Sequence, residues 1–150
     1  MQSVLVICLS PTFQRMIVFK DFHENEVNRS DRVLEIASGK GRNVSRVLGN
    51  LGRPALNLMQ LGGPRIQEFL SLCDKDHLAV KYIKVEAPIR TCTTIINEGK
   101  GTSTELVEEA RVVEEGDSEE FFSLFLSIID SFDSVVISGT KAKGFSMDLY

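Results

Sequence analysis

The glycine-rich segment at residues 37–52, Ala-Ser-Gly-Lys-Gly-Arg-Asn-Val-Ser-Arg-Val-Leu-Gly-Asn-Leu-Gly, constrains the fold of this chain more than any other stretch. Val44, Val47, Leu48 and Leu51 recur at i, i+3, i+4 and i+7, the apolar stripe of a short amphipathic helix that packs on a core, and Gly52 closes it. Ahead of the stripe, Gly39 and Gly41 permit positive φ and close backbone approach. The first turn can therefore offer N–H groups and the positive end of a helix dipole to an anion or a ring of hydroxyls. Lys40 adds a full charge, and Asn43 adds donor and acceptor capacity suited to a polyhydroxylated ligand. An ordinary glycine-rich turn before a core helix would read the same way from this segment alone. Two familiar glycine motifs fail on spacing: the dinucleotide fingerprint needs a small residue where Val44 stands, and a P-loop needs Gly-Lys-Ser/Thr where Gly39-Lys40-Gly41 stands.

Around this segment the pattern is α/β. Residues 4–9 form a continuous apolar run, as in a strand buried on both faces of a parallel sheet, and Ser10-Pro11-Thr12 ends it. The carboxyl end of such a strand faces the ligand crevice of an open sheet, and Gln14 lies just beyond. Residues 15–36 mix apolar and charged positions around a polar turn at residues 21–25, which predicts strands with one solvated face in a small sheet outside the main core. Residues 55–61 read as another strand, ending at Gly62-Gly63. Ile66, Phe69, Leu70 and Cys73 then repeat the helical stripe after Pro64. Residues 80–85 alternate as an edge strand would.

Residues 90–97 and 103–113, rich in Thr, Ile and Val and joined by Glu98-Gly99-Lys100-Gly101, predict a β-hairpin of the same small sheet. Glu108, Glu109, Glu114 and Glu115 read as a solvated acidic face. Asp117 and Glu120 suggest a capping-box start for a third helix with Phe121, Leu124, Phe125 and Ile128 on its apolar side. Residues 134–138 read as a buried strand ending at Gly139, and residues 146–150 as the opening of one more helix.

At 150 residues and 43% hydrophobic content, the chain can bury one sizeable core as a single domain. A net charge of −4 with signs interspersed and no basic run argues against a nucleic-acid partner. The apolar run at residues 4–9 has no cationic leader and is too short for a signal peptide or membrane span. Cys8, Cys73 and Cys92 are odd in number and lack Cys-x-x-Cys spacing, so neither a disulfide framework nor a zinc site is indicated, and a reducing cytoplasm fits best. His23 and His77 have no partner at metal-ligand spacing.

Ser38-Gly39-Lys40-Gly41-Arg42-Asn43-Val44-Ser45, followed by Arg46-Val47-Leu48 and Leu51-Gly52, resembles the Gly-Gly-Lys-Gly-x-Asn-x-Ala-x-x-Leu signature of the ribokinase-like (PfkB) sugar kinases. The resemblance is to the branch that includes 1-phosphofructokinase and tagatose-6-phosphate kinase. Further pieces are similar in the same order: Leu9-Ser10-Pro11-Thr12-Phe13-Gln14-Arg15, Leu61-Gly62-Gly63, Arg90-Thr91-Cys92-Thr93-Thr94 leading to Thr104-Glu105-Leu106, and Val136-Ile137-Ser138-Gly139-Thr140. The match runs the whole chain. It implies the N-terminal part of one ribokinase-like domain: a mostly parallel sheet flanked by helices, plus a β-lid from about residues 15–36 and 88–113.

The resemblance also implies roles. Gly39, Lys40, Gly41 and Asn43 would contact sugar hydroxyls or phosphate, Ser138 and Gly139 would face the same crevice, and Arg90 would hold the phosphate already on the substrate. A guanidinium suits that task by two parallel hydrogen bonds, although a solvated strand arginine would look the same in sequence. Gln14 stands where these kinases usually carry Asp, so a charged acceptor of sugar hydroxyls is replaced by a longer neutral one. Ser38 replaces a glycine, and Lys141-Ala142-Lys143 replaces the usual Leu-Pro-Pro.

The family's Gly-Ala-Gly-Asp segment, with its catalytic base and anion hole, and its nucleotide site belong to the C-terminal half. No catalytic residue is therefore expected in this chain, which alone should bind neither ATP nor Mg2+ and should not turn over. The intact protein would use both to phosphorylate fructose 1-phosphate or tagatose 6-phosphate. A non-catalytic sugar-phosphate-binding or dimerisation module is the alternative, since exposed lid strands can pair edge to edge into a homodimer. A Rossmann-type nucleotide binder is disfavoured by Val44 and by the lack of an acidic residue closing a strand some 20 residues on.

Overall fold

The computed structural model of the chain describes residues 3–145. Its elements in order are β1 (Val4–Cys8), β2 (Thr12–Phe19), β3 (Arg32–Ser38), α1 (Lys40–Asn50), β4 (Ala55–Gly62), α2 (Ile66–Lys75), β5 (Ala79–Val85), β6 (Arg90–Asn97), β7 (Thr102–Val107), α3 (Glu115–Ile128) and β8 (Ser134–Ile137). Two sheets result. The main sheet has the order β5-β4-β1-β8 and is parallel throughout. The second has the order β3-β2-β6-β7, with β2 and β6 parallel and both outer pairs antiparallel.

β1 is central, which is why its sequence is apolar without alternation. Its side chains still alternate between two layers. Leu5, Ile7 and Leu9 pack in a cluster with Phe121 of α3, whereas Val4 and Val6 meet Val44 and Leu48 of α1, and Cys8 joins Phe69 and Cys73 of α2. Helices thus cover both faces. Leu5, Ile7 and Leu9 are almost completely buried, and each such side chain contributes about 1.5–3 kcal/mol relative to exposure. The second sheet is fastened to this body by Arg65, which precedes α2. Its guanidinium sits 3.8 Å from the centre of the Phe13 ring, bonds Glu68, and reaches across to Glu35 on β3.

Several expectations are corrected. The stripe of α1 is rotated: Val47 and Leu51 are exposed, and the buried face is Gly41, Arg42 and Ser45, flanked by the partly buried Val44 and Leu48. The buried face shifts because a glycine lets the helix close on β1 and the polar residues find buried partners there. The hairpin's second strand stops at Val107 rather than running to residue 113, because the chain leaves the sheet to enter α3. That helix begins earlier than expected: its capping box is Glu114 with Asp117, each side chain bonding the other's backbone N–H. β8 is largely exposed rather than buried, since it lies at the sheet's margin and, among the described residues, pairs on one side only. The lid strands extend slightly beyond the expected limits, to Thr12 and Ser38. The helix expected at residues 146–150 lies outside the described residues.

Candidate functional site

A cavity of about 590 Å³ opens where the carboxyl end of β1, the start of α1 and the exit of β8 meet the second sheet. The register of that sheet explains which side chains reach it. Thr12 and Gln14 on β2 oppose Arg90 and Cys92 on β6, and Cys92 and Thr94 in turn oppose Val107 and Glu105 on β7. With a side-chain period of two, these residues share one face. Thr12, Gln14, Arg90, Cys92, Glu105 and Val107 all line the cavity. The opposite wall is formed by Cys8, Ser10, Gly39, Lys40, Asn43 and residues 138–141 and 143.

The first turn of α1 is shaped by its glycines. Gly39 is the N-cap at φ +130°, a conformation that side chains rarely adopt, and Asn43 N–H donates to its carbonyl at 2.8 Å. Gly41 packs so close to β1 that a Cβ there would lie 2.5 Å from the Ile7 carbonyl oxygen. No acidic residue occupies this first turn, so the positive end of the helix is left uncompensated by its own sequence.

Hydrogen bonding in the cavity is incomplete. Gln14 Nε2 donates to Thr94 Oγ1 at 2.8 Å, and Thr12 Oγ1 donates to the Arg90 carbonyl at 3.1 Å. Arg90 Nη1 donates to the Glu108 carbonyl at 2.8 Å, while Thr91 N–H donates to the Glu108 carboxylate at 3.0 Å. The acidic stretch is therefore solvent-exposed but not idle: Glu108 holds the start of β6. By contrast, Ser10 Oγ, Asn43 Oδ1 and Arg90 Nε are buried with no hydrogen-bond partner among the described residues, and all three residues line the cavity. Leaving a buried polar atom unsatisfied costs about 1–3 kcal/mol, so this cavity is built to receive polar groups. Burial pushes the Cys8 thiol above the usual range, against the pull of backbone N–H groups of Arg42, Ser10 and Gly41, which disfavours its thiolate form.

Beneath the glycine turn is a buried polar layer. Arg42 is fully buried, with Nη2 donating to Asp76 and with Nε and Nη1 lacking a hydrogen-bond partner among the described residues. Ser45 Oγ donates to Asn57 Oδ1 at 2.8 Å, and Asn57 Nδ2 donates to the Ala79 carbonyl at 3.3 Å.

Of the residues singled out in the sequence, Gln14, Gly39, Lys40, Asn43, Arg90, Ser138 and Gly139 are brought together around the cavity. Gly41 is not among the lining residues; it faces β1. Sequence reading passed over Ser10, Thr12, Cys92, Glu105 and Glu109 as site residues. The alternation of β2, β6 and β7 was the signal that could have found three of them.

A family model described as pfkB family carbohydrate kinase matches residues 3–150. The chain belongs to this family. It is 31% identical over 147 residues to a tagatose-6-phosphate kinase of Staphylococcus epidermidis, covering 98% of the chain and 47% of that protein. Among solved structures it resembles a possible 1-phosphofructokinase of Thermotoga maritima, with a TM-score of 0.88, 28% identity, and coverage of 96% of the chain and 47% of the other. It shares its fold with phosphofructokinase-2 of Escherichia coli in complex with fructose-6-phosphate, at a TM-score of 0.89, 19% identity, and coverage of 99% and 48%. The chain spans about half the length of the curated relatives it matches.

Proposed function

We propose that this chain is the sugar-phosphate-binding part of an ATP-dependent carbohydrate kinase, and that the intact cytoplasmic protein phosphorylates a ketohexose phosphate, fructose 1-phosphate or tagatose 6-phosphate. The observation that carries the reading is the set of unpartnered polar atoms at the cavity, Ser10 Oγ, Asn43 Oδ1 and Arg90 Nε. A hydroxyl can donate to Asn43 Oδ1 and a phosphate oxygen can accept from Arg90 Nε, so a phosphorylated polyol satisfies both kinds at once. Gln14 serves as a neutral acceptor: with its Nε2 on Thr94, its Oε1 is the atom available to a sugar hydroxyl. A neutral hydrogen bond contributes about 0.5–1.5 kcal/mol against about 1.5–3 for one to a charged group, so this contact is weaker than a carboxylate's would be. Free, buried thiols at Cys8, Cys73 and Cys92 fit a reducing compartment.

The family implies ATP, and with it Mg2+. Among the described residues no three or more His, Cys, Asp or Glu side chains are grouped to hold a metal ion, and no phosphoryl-transfer step is assigned to this chain. Both groups would be held by the remainder of the intact protein. The test is a thermal melt of the chain with fructose 1-phosphate and tagatose 6-phosphate. Ligand at about 100 times its Kd should stabilise by about 2.7 kcal/mol, and no shift with any ketohexose phosphate would refute the reading.

A second reading, a dimerisation module, is favoured by exposed apolar residues on the lid's two outer strands: Val33 and Leu34 on β3, Leu106 and Val107 on β7. Mass that rises with concentration while sugar phosphates leave the melt unchanged would support it in place of the first.

A further inference from the structure

We propose that Arg65 is a positioning residue for the cavity: from behind the second sheet it holds β2 and β3 at the spacing from the main body that lets one ligand touch both walls, and its ion pair with Glu35 is the contact that yields when that spacing changes. The proposal rests on the sugar-phosphate reading above. The alternation of β2 turns Thr12 and Gln14 toward the cavity and Phe13, between them, away from it. Phe13 is fully buried in the cluster that contains Phe69 of α2, and the two rings meet edge-on at 5.4 Å. The Arg65 guanidinium lies 3.8 Å from the centre of the same Phe13 ring. Whatever grips Phe13 therefore sets where Gln14 stands.

Arg65 ties together two parts of the molecule that the chain joins through short links. β1 passes to β2 through Leu9, Ser10 and Pro11, and β3 passes to α1 across Gly39. A tilt of the second sheet about these links changes the distance between Gln14 on one wall and Asn43 on the other. Arg65 opposes that tilt. Its Nε and Nη2 donate to Glu68, three residues on in α2, at 2.7 and 2.8 Å, which orients the guanidinium within the main body. Nη2 also donates to Glu35 on β3, in the second sheet.

The link is built to open. The Arg65 and Glu35 side chains are 38% and 25% exposed, so their pair is partly solvated and breaks at modest cost. Glu35 also has a second cation at hand: Arg15, exposed on β2, is its direct partner in the antiparallel register of β2 and β3. When Arg65 and Glu35 separate, Glu68 keeps the arginine and Arg15 is placed to take the carboxylate, so neither charge is left alone. Arg65 is thus a brace that ligand binding tightens and ligand release relaxes.

The test compares E35Q, E68Q, R65A and R65K with the wild type in two measurements on the chain: calorimetric titration with fructose 1-phosphate and tagatose 6-phosphate, and the NMR signals of the Gln14 side-chain amide, whose Nε2 donates to Thr94. E35Q and E68Q each remove one carboxylate partner of Arg65 near the surface and keep the fold, but only Glu35 stands on the second sheet. We expect E35Q to weaken sugar-phosphate binding about threefold to fivefold, R65A about tenfold, and E68Q less than twofold. R65K keeps a cation for Phe13 but not a fork for two carboxylates, so its affinity should fall between those of R65A and the wild type. The Gln14 amide should shift in E35Q and stay in place in E68Q. Equal effects of E35Q and E68Q on affinity and on the amide would reduce Arg65 to a stabilising contact and overturn the proposal, with the sugar-phosphate reading left intact. A wild type that binds neither sugar phosphate would overturn that reading; the amide signals then decide the brace by themselves, and a Gln14 amide unmoved in E35Q would overturn it too.

Discussion

Removing the carboxylate of Asp76 should destabilise the chain far more than removing the buried cation it serves. Arg42 is 0% exposed, and its one charged partner among the described residues is Asp76, whose side chain is 36% exposed. Asp76→Ala would leave a guanidinium uncompensated in the core, with Nη2 joining Nε and Nη1 as unpartnered donors. Breaking a buried pair from one side costs about 3–5 kcal/mol; because solvent reaches Asp76, we expect somewhat less, about 2–4 kcal/mol. Arg42→Met keeps the volume and removes the charge together with all the unsatisfied N–H groups, while Asp76 can be hydrated, so its loss should stay within about 1 kcal/mol. The double variant should recover most of the Asp76→Ala loss. Urea unfolding of the three variants, with unchanged m, measures this. If Asp76→Ala costs less than Arg42→Met, the electrostatic account of the layer under the glycine turn is refuted.

Two glycines of α1 should respond with opposite signs. Gly41→Ala drives a Cβ to within 2.5 Å of the Ile7 carbonyl oxygen and should cost about 1–3 kcal/mol or more, whereas Gly49→Ala meets nothing within 4 Å and should gain about 0.5–1 kcal/mol in chemical denaturation. Arg65→Ala removes the cation over Phe13 and the bonds to Glu68 and Glu35, and should cost about 1–2 kcal/mol, with hydrogen exchange in β2 and β3 accelerating before the main sheet's. Acid should loosen the same contact. The Arg65 hydrogen bond holds the exposed Glu68 below the usual carboxylate value of 4.5, so this contribution is present above that pH and lost as the pH falls through the lowered value. Burial pushes the Cys73 thiol from 9.0 up to about 11. Its contribution to stability is therefore complete below pH 9 and lost between 9 and 11, and Cys73→Ala should flatten that alkaline limb of a stability–pH profile.

Periodicity and glycine placement in the sequence were enough to determine the order of strands and helices through α2, the central burial of residues 4–9 and the hairpin across Glu98–Gly101, whereas the grouping of Gln14, Asn43 and Arg90 in one site came only from the family resemblance. The elements are local, or arise from a strand's alternation, and the residues that encode them stand close together in the chain. Tertiary structure alone decided the rest. Val47 and Leu51 carry a helical apolar stripe yet face solvent, because the close approach of Gly41 to β1 and the Arg42–Asp76 and Ser45–Asn57 pairs determine how α1 is rotated, and those partners are more than ten residues away. The strand at residues 134–137 is apolar enough for a sheet interior but, among the described residues, sits at a margin, since burial depends on what lies beside a strand and not on its own composition. In sequence Lys141-Ala142-Lys143 shows only as a departure from the family's usual Leu-Pro-Pro; the anchoring of Ala142 and Phe145 in the core is what puts both lysines on a cavity wall. A sequence records which groups a chain carries, while long-range packing decides which of them share a site.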